Sequence, residues 1–361
     1  MKHISLYIHI PFCVRKCAYC DFTSFPGITD RIPLYLPQLE REMTDACARF
    51  GPLALDTVFI GGGTPSLLTG DQMRELMGTV RRHFTLCEGA EITAEANPGT
   101  IDACKLADFR EAGINRLSIG VQSFDDSLLL TLGRIHTASE AENAVLAAAE
   151  AGFSNLSVDL MYALPGQSAS QWKHSIQTAL NLPLQHISCY SLIVEDGTPM
   201  KAFVQANPAL MLDEETVVCM QHDAARLMAE HGFQRYEISN YALPGFESRH
   251  NMVYWRRGDY LGVGCAAHSL MNGVRFANTT SLKDYLAGKR CEASECLTER
   301  DVYEETVMLG LRTREGVEAS LLPSARLQAL IDGGFMRLEG SRARITQAGS
   351  DVLNAVILEL L

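Results

Sequence analysis

Six short β-branched runs alternating with longer amphipathic stretches predict an α/β fold, a parallel sheet covered by helices and either open or curved into a partial barrel. Three observations carry that prediction. The runs are apolar along nearly their whole length, the stretches between them space apolar residues at i, i+3, i+4 and i+7, and each run ends in polar or glycine-rich residues. Strands are expected at SLYIHI (5–10), DTVFIGG (56–62), EITAEAN (91–97), NRLSIGVQS (115–123), NLSVDLMYAL (155–164) and HISCYSLI (186–193). Between them LPQLEREMTDACARF, GDQMRELMGTVRRHF and SEAENAVLAAAEAG read as helices. Ligands sit at the C-terminal ends of parallel strands, so the cysteine loop, GGGTP, EANPGT, VQSFDD and DLMYALPGQ should share one rim.

Beyond residue 195 the pattern loosens. A helix is expected near 213–231 and a strand in FQRYEIS, while SRHNMVYWRRGDYLGVGCAAHS reads as loop. From 299 onward two helices, the hairpin FMRLEGSRARIT and a last helix resemble a winged-helix α+β module. The expected division is a core over 1–232, a connecting segment over 233–298 and the module over 299–361.

Composition narrows the function. The chain has 361 residues, 47% of them hydrophobic, so a sizeable core can be buried. No run approaches the roughly 18–20 apolar residues of a membrane span, and MKHISLYIHIPFC lacks a signal peptide's long apolar region, so the expected location is cytoplasmic. A net charge of −12 without a Lys/Arg block argues against a nucleic-acid partner, and the terminal module is expected to pack or dock rather than bind DNA. Eleven cysteines without an export signal point away from disulfides and toward buried thiols plus one metal or redox site.

That site is expected in HIPFCVRKCAYCDF (9–22), where Cys13, Cys17 and Cys20 follow C-x3-C-x2-C spacing. Closed zinc sites need four ligands, and after Cys20 the next cysteine is Cys47, inside a helical pattern, which leaves His9 as the other candidate. Three soft thiolates also suit a [4Fe–4S] cluster with one iron left free; redox thiols and unligated core cysteines are the remaining readings of the spacing. The run Gly61, Gly62, Gly63 lets backbone approach a ligand, with Thr64 offering a hydroxyl, but alone it is equally a tight turn and it is not a P-loop.

With Tyr19 before its last cysteine, the loop resembles the signature of the radical S-adenosylmethionine superfamily. GGGTPSLL, AEANPG, INRLSIGVQSF, LGRIHT and VDLMYALPGQ extend the resemblance, over nearly the whole chain, to the coproporphyrinogen oxidase-like branch. The resemblance implies a partial (β/α)6 TIM-like radical SAM barrel with a [4Fe–4S] cluster on Cys13, Cys17 and Cys20, and an electron donor to reduce it. The free iron would hold the methionine part of S-adenosylmethionine, whose cleavage gives a 5′-deoxyadenosyl radical. It further implies that Gly62, Gly63 and Thr64 meet the methionine end, that Tyr7 and Tyr19 border cluster and ligand, and that Glu95, Gln122, Arg134 and Asp159 contact the ligand.

Oxidases of the branch carry a longer N-terminal extension and a further cysteine two residues after the cluster motif. Here twelve residues precede Cys13, and Phe22 holds that position. Both departures, with HNMVYW at 250–255, are similar to the HemW-type heme chaperones. That resemblance implies heme binding and transfer to acceptor proteins, such as membrane respiratory enzymes. It makes His250 the heme ligand, with Tyr254 and Trp255 as flat apolar surface and Cys265 and His268 as weaker candidates. Without the family, a single loop histidine is more often structural. The alternative function is an oxygen-independent coproporphyrinogen III oxidase or another radical enzyme acting on a tetrapyrrole.

Overall fold

A computed structural model describes residues 1–361, apart from the side chain of Glu292. All six expected strands are present: β1 (Lys2–Ile10), β2 (Leu53–Gly62), β3 (Thr85–Ala96), β4 (Arg116–Gln122), β5 (Leu156–Tyr162) and β6 (His186–Ser191). They pair in sequence order and all in parallel. The helices α1 (Ile32–Phe50), α2 (Gly70–His83), α3 (Ala103–Ala112), α4 (Asp126–Leu132), α5 (Ala138–Glu150) and α6 (Ala169–Leu180) lie between them, and α7 (Glu214–Glu230) follows β6.

Each strand sends apolar residues one way and polar residues the other, because successive side chains alternate faces. Leu6, Ile8, Val58, Ile60, Ile92, Leu117, Ile119, Val158 and Ile187 join helix residues such as Leu39, Met77, Phe109, Val145 and Trp172 in one buried core. On the opposite face, Thr57 donates to Ser5, Ser118 to Asp159, and the Ser157 hydroxyl meets His186. The strands were expected to be apolar along almost their full length. Their inner faces are instead buried and polar, since they enclose a site rather than a second hydrophobic layer.

The segment 233–298 does not stand apart from the sheet. β7 (Gln234–Glu237) and β8 (Asn240–Ala242) add antiparallel to β6, whereas β9 (Tyr260–Val263) pairs parallel with the far edge at β1. β10 (His268–Met271), β11 (Val274–Asn278) and β12 (Cys291–Cys296) continue from β9, giving twelve strands in all. Part of the expected loop is a short helix, α8 (Arg249–Trp255), whose N-cap Ser248 accepts from the Asn251 N–H.

The C-terminal module has its own core of Val307, Leu311, Leu327, Met336, Val356 and Ile357. It comprises α9 (Glu299–Gly310), α10 (Ser324–Asp332), α11 (Leu353–Leu360) and a three-stranded sheet of β13 (Val317–Glu318), β14 (Met336–Glu339) and β15 (Arg342–Ile345), consistent with the winged-helix expectation. Among the described residues no helix is long and apolar enough to cross a membrane.

Glu305 of α9 fastens the module to the barrel. It accepts from Arg257 Nε at 2.7 Å and pairs with Arg275. Burial pushes its carboxyl up, but the hydrogen bonds from the two arginines outweigh burial and hold it below the usual carboxylate range. Glu305→Ala should cost about 2 kcal/mol and speed protease cleavage near Leu297. The wild-type stabilisation is present above the ordinary carboxylate pKa and fades as pH falls through the lowered folded value. Unchanged cleavage and urea midpoint would mean that these pairs do not hold the module.

Candidate functional site

The C-terminal ends of β2 to β6 and the cysteine loop that follows β1 line one cavity of about 1420 Å³, which requires the sheet to wrap around it. Cys13, Cys17 and Cys20 all line it. Their loop leaves β1 through Phe12, is bridged to Phe25–Pro26, and is tied by Ala18 N–H to Leu132 O at 3.0 Å and by Met200 N–H to Ala18 O at 2.8 Å. No fourth cysteine and no histidine appears among the residues lining the cavity. His9, the candidate fourth zinc ligand, has both ring nitrogens engaged, Nδ1 with the Tyr7 hydroxyl and Nε2 with Thr23 O, each at 2.9 Å. The donor set is therefore three free thiols, which suits a cluster with one open iron and not a closed zinc site.

Two of the three glycines at the end of β2 are required by close contacts. Gly62 has φ +111°, and a Cβ there would overlap the His9 ring; a Cβ on Gly63 would lie 2.7 Å from Phe12 O. The approach holds the backbone beside the cysteine loop and aims Gly62 N–H at Glu95 Oε2, 2.9 Å away. Thr64 follows, its hydroxyl 3.6 Å from Cys13 Sγ and accepting from Asn97 Nδ2 at 3.0 Å.

Arg134 reaches the same place from α4. Asp125 caps that helix by accepting from Ser127 and Leu128 N–H, and Gly133, in the left-handed conformation at its C-cap, turns the chain toward the cysteine loop. Arg134 Nη1 then lies 3.4 Å from Cys17 Sγ, while Nη2 donates to Asn97 and Gly120 O. Gln122 holds a left-handed φ of 70° at a bulge between β4 and β5, costing about 1–3 kcal/mol, and accepts from the Tyr190 hydroxyl at 2.8 Å.

Glu95 and Asp159 face the cavity as a coupled acid pair. Burial, reinforced by the charge of Asp159, pushes Glu95 up to about 8. Burial also raises Asp159, against the hydrogen bonds of Ser188 and Ser118 and the charge of Arg116. At neutral pH Glu95 is mostly a hydrogen-bond donor and acceptor at once, so the pair matches a ligand offering hydroxyls.

The structure thus brings Cys13, Cys17, Cys20, Tyr19, Gly62, Gly63, Thr64, Glu95, Gln122, Arg134 and Asp159 to one cavity. Tyr7 is not among the lining residues; it packs between Phe59 and His9. Asn97, Ser188 and Tyr190 were missed, although Asn97 sits in the AEANPG motif and joins Thr64 to Arg134. Arg312 and residues 350–355 also line the cavity, so the C-terminal module covers part of its mouth.

The Radical SAM superfamily profile matches residues 7–179, and the HemN C-terminal domain matches 297–352. The heme chaperone HemW of Bacillus subtilis (strain 168) is 38% identical over 98% of this chain and 97% of its own length. That of Escherichia coli (strain K12) is also 38% identical, over 86% of this chain and 83% of its own. The chain belongs to the HemW family. Its fold matches that of the coproporphyrinogen III oxidase HemN from Escherichia coli at TM-score 0.86 and 22% identity, covering 99% of this chain and 90% of the other.

Within this HemW-family fold, His250 is separated from the cavity. It is 1% exposed and does not line the cavity. Thr57 donates to Ser5, so its oxygen accepts from His250 Nδ1–H at 2.7 Å, leaving His250 Nε2 to accept from the Tyr254 hydroxyl at 2.8 Å. The Phe59 ring stacks on the imidazole at 5.1 Å. Burial, helped by Arg116, lowers its pKa to about 3, so it stays neutral. In this conformation the His250 nitrogen that would meet iron is bonded to Tyr254 and shielded from solvent. Cys265 is fully buried, with its N–H bonded to Tyr35.

The raised Glu95 pKa fixes a pH dependence. Between the ordinary 4.5 and about 8 the folded chain keeps a proton that the unfolded chain has lost. Stability of the ligand-free protein should fall as pH rises through that window, and Glu95→Gln should flatten the fall. Urea midpoints measured from pH 4.5 to 8.5 test it; identical slopes for both proteins would refute the assignment.

Proposed function

We propose that this chain is a heme chaperone that carries a [4Fe–4S] cluster and S-adenosylmethionine, binds heme, and passes it in the cytoplasm to acceptors such as membrane respiratory enzymes. One observation carries the reading: three thiols and the polar strand-end residues meet in a cavity of about 1420 Å³, larger than the roughly 300–1,000 Å³ of an ordinary small-molecule site. The HemW relatives supply the chaperone class. The cluster, once bound and reduced by an electron donor, supplies an open iron for the methionine amino and carboxylate groups of S-adenosylmethionine.

The chain's own residues do the rest. Arg134 places a permanent cation beside Cys17, where it offsets thiolate charge and faces the ligand carboxylate. Gly62, Gly63 and Thr64 offer close backbone and a hydroxyl to the methionine end, and Tyr19 covers the loop. Asp159 and Glu95 receive ribose hydroxyls, and Gln122 is held for the adenosine part by Tyr190. Tyr7 supports this set from below through His9.

Heme is assigned to the rim of the same cavity rather than to His250. Phe22 and Ile193 line its mouth at 63% and 69% exposure, which is unusual for large apolar side chains flanking one opening. Lys16, whose Nζ donates to Phe22 O at 3.0 Å, and Arg15 line the same cavity and match the two propionates of a porphyrin.

Three measurements test this reading. Anaerobically reconstituted protein should hold about four irons and lose them on Cys17→Ala; a preparation that binds only zinc would refute the cluster. In hemin titrations, Phe22→Asp/Ile193→Asp should weaken binding about tenfold or more, whereas His250→Gln, if folded by circular dichroism, should stay within about threefold of wild type. The reverse pattern would return the heme to His250. Steady conversion of coproporphyrinogen III would replace the chaperone reading with an oxidase.

A further inference from the structure

The strand ends opposite the cavity carry a cluster of side chains that neither cysteine loop nor cavity uses. His3 of β1, Asp56 of β2 and Cys87 of β3 bring a ring nitrogen, a carboxylate oxygen and a sulfur within 4.8 Å of one another. His3 Nδ1 lies 2.9 Å from Asp56 Oδ1 and 3.6 Å from Cys87 Sγ. One nitrogen faces both partners. A nucleophilic Cys–His–Asp relay needs the thiol and the carboxylate on different ring nitrogens, so the arrangement does not fit that chemistry. Three donors turned toward one point fit a metal ion. Tetrahedral zinc separates neighbouring N, O and S ligand atoms by roughly 3.3–3.6 Å, and the His3–Asp56 and His3–Cys87 separations of 2.9 and 3.6 Å lie within a few tenths of an ångström of that range.

The backbone is shaped for this convergence. Asp56 is an extra residue in the β1–β2 ladder, where Leu55 opposes Ile4 and Thr57 opposes Ser5. The β2–β3 ladder breaks at the same point, passing from Leu55 opposite Leu86 to Thr57 opposite Glu91. Such bulges re-aim a side chain. Arg249 holds both sides of the break, donating to Gly89 O at 2.7 Å and to Asp56 O at 3.3 Å. Arg249 is the residue before His250, so α8 ties this end of the barrel to the HNMVYW segment.

We infer that His3, Asp56 and Cys87 form a second metal site, for a zinc-class divalent transition ion with its fourth position open to water. A thiolate and an imidazole beside one carboxylate select such an ion over magnesium or calcium. Binding forms a sulfur–metal bond and releases the Cys87 thiol proton to solvent, with no electron transferred. The thiolate and carboxylate together outweigh the opposing charge of Arg249. Exposed His3 gives the ion an entry path, and none of the three residues lines the cluster cavity.

The test uses the full chain with its iron–sulfur cluster loaded, so that Cys13, Cys17 and Cys20 do not compete for zinc. Zinc titrated against a chromophoric chelator should bind at one equivalent, and His3→Ala or Cys87→Ser should weaken it about tenfold or more without changing iron content or circular dichroism. Zinc-edge X-ray absorption should show one sulfur at ~2.3 Å with nitrogen and oxygen neighbours. Equal binding by wild type and His3→Ala/Cys87→Ser overturns the site. So does an absorption spectrum without sulfur, or wild-type binding only at millimolar zinc, which is adventitious.

Discussion

Arg116 enters the barrel interior from β4 with 2% of its surface exposed, and its Nε has no hydrogen-bond partner. A guanidinium cannot shed its proton to escape burial, so its charge must be balanced by its surroundings. Its field lowers Glu95 and Asp159 against burial, and it acts with burial to keep His186 and His250 neutral. Arg116, together with Arg134 at the cysteine loop, offsets the carboxyls that the inner faces bury. Removing Arg116 would leave Glu95 and Asp159 with only the Gly62, Ser118 and Ser188 hydrogen bonds and Arg134 to offset burial, which favours their protonated forms.

The cavity geometry follows from that polar interior. Backbone must come close to the cysteine loop without bringing side chains that would fill the space, which is why glycine stands at 62 and 63. Arg134 must extend from a helix end to Cys17 while staying hydrogen-bonded, and Asn97 and Gly120 O hold it there. The left-handed Gln122 belongs to the same economy: local strain at a bulge turns one amide toward Tyr190 at the cavity wall.

Much of this was legible in the sequence, because it rests on local patterns. The six strands follow from β-branched runs, the cysteine loop from spacing, and the glycines from their place at the end of β2. What could not be read depends on long-range pairing. Nothing local in YLGV announces a parallel partner for β1, whose register pairs Ser5 with Tyr260. The alternation of strand faces was masked because Ser, Thr and Tyr inside β-branched runs look compatible with an apolar layer. Residues 350–355 reach the cavity only through the docking of a separate core, which leaves no periodic trace. HNMVYW was read as loop, yet the fold places it on a helix and pairs the His250 and Tyr254 side chains internally.

That last reversal bears on where heme can be handled. Glu91 accepts from the N–H groups of Arg249 and His250, His250 links Tyr254 to Thr57, and Met252 packs with Tyr236 and Ala242 while Trp255 leans on them. Tyr254 closes edge-on against Tyr260 at 4.6 Å. The motif therefore plugs the barrel below the cavity, with Ser5, Thr57, Glu91 and Arg116 buried behind it. A barrel closed at that end can exchange a large flat ligand only through the rim bearing the cysteine loop. There the C-terminal module overlies part of the opening, held to the barrel by Glu305. On the proposed function, loading and release at the rim would depend on the module's seating, while the motif keeps the opposite end shut.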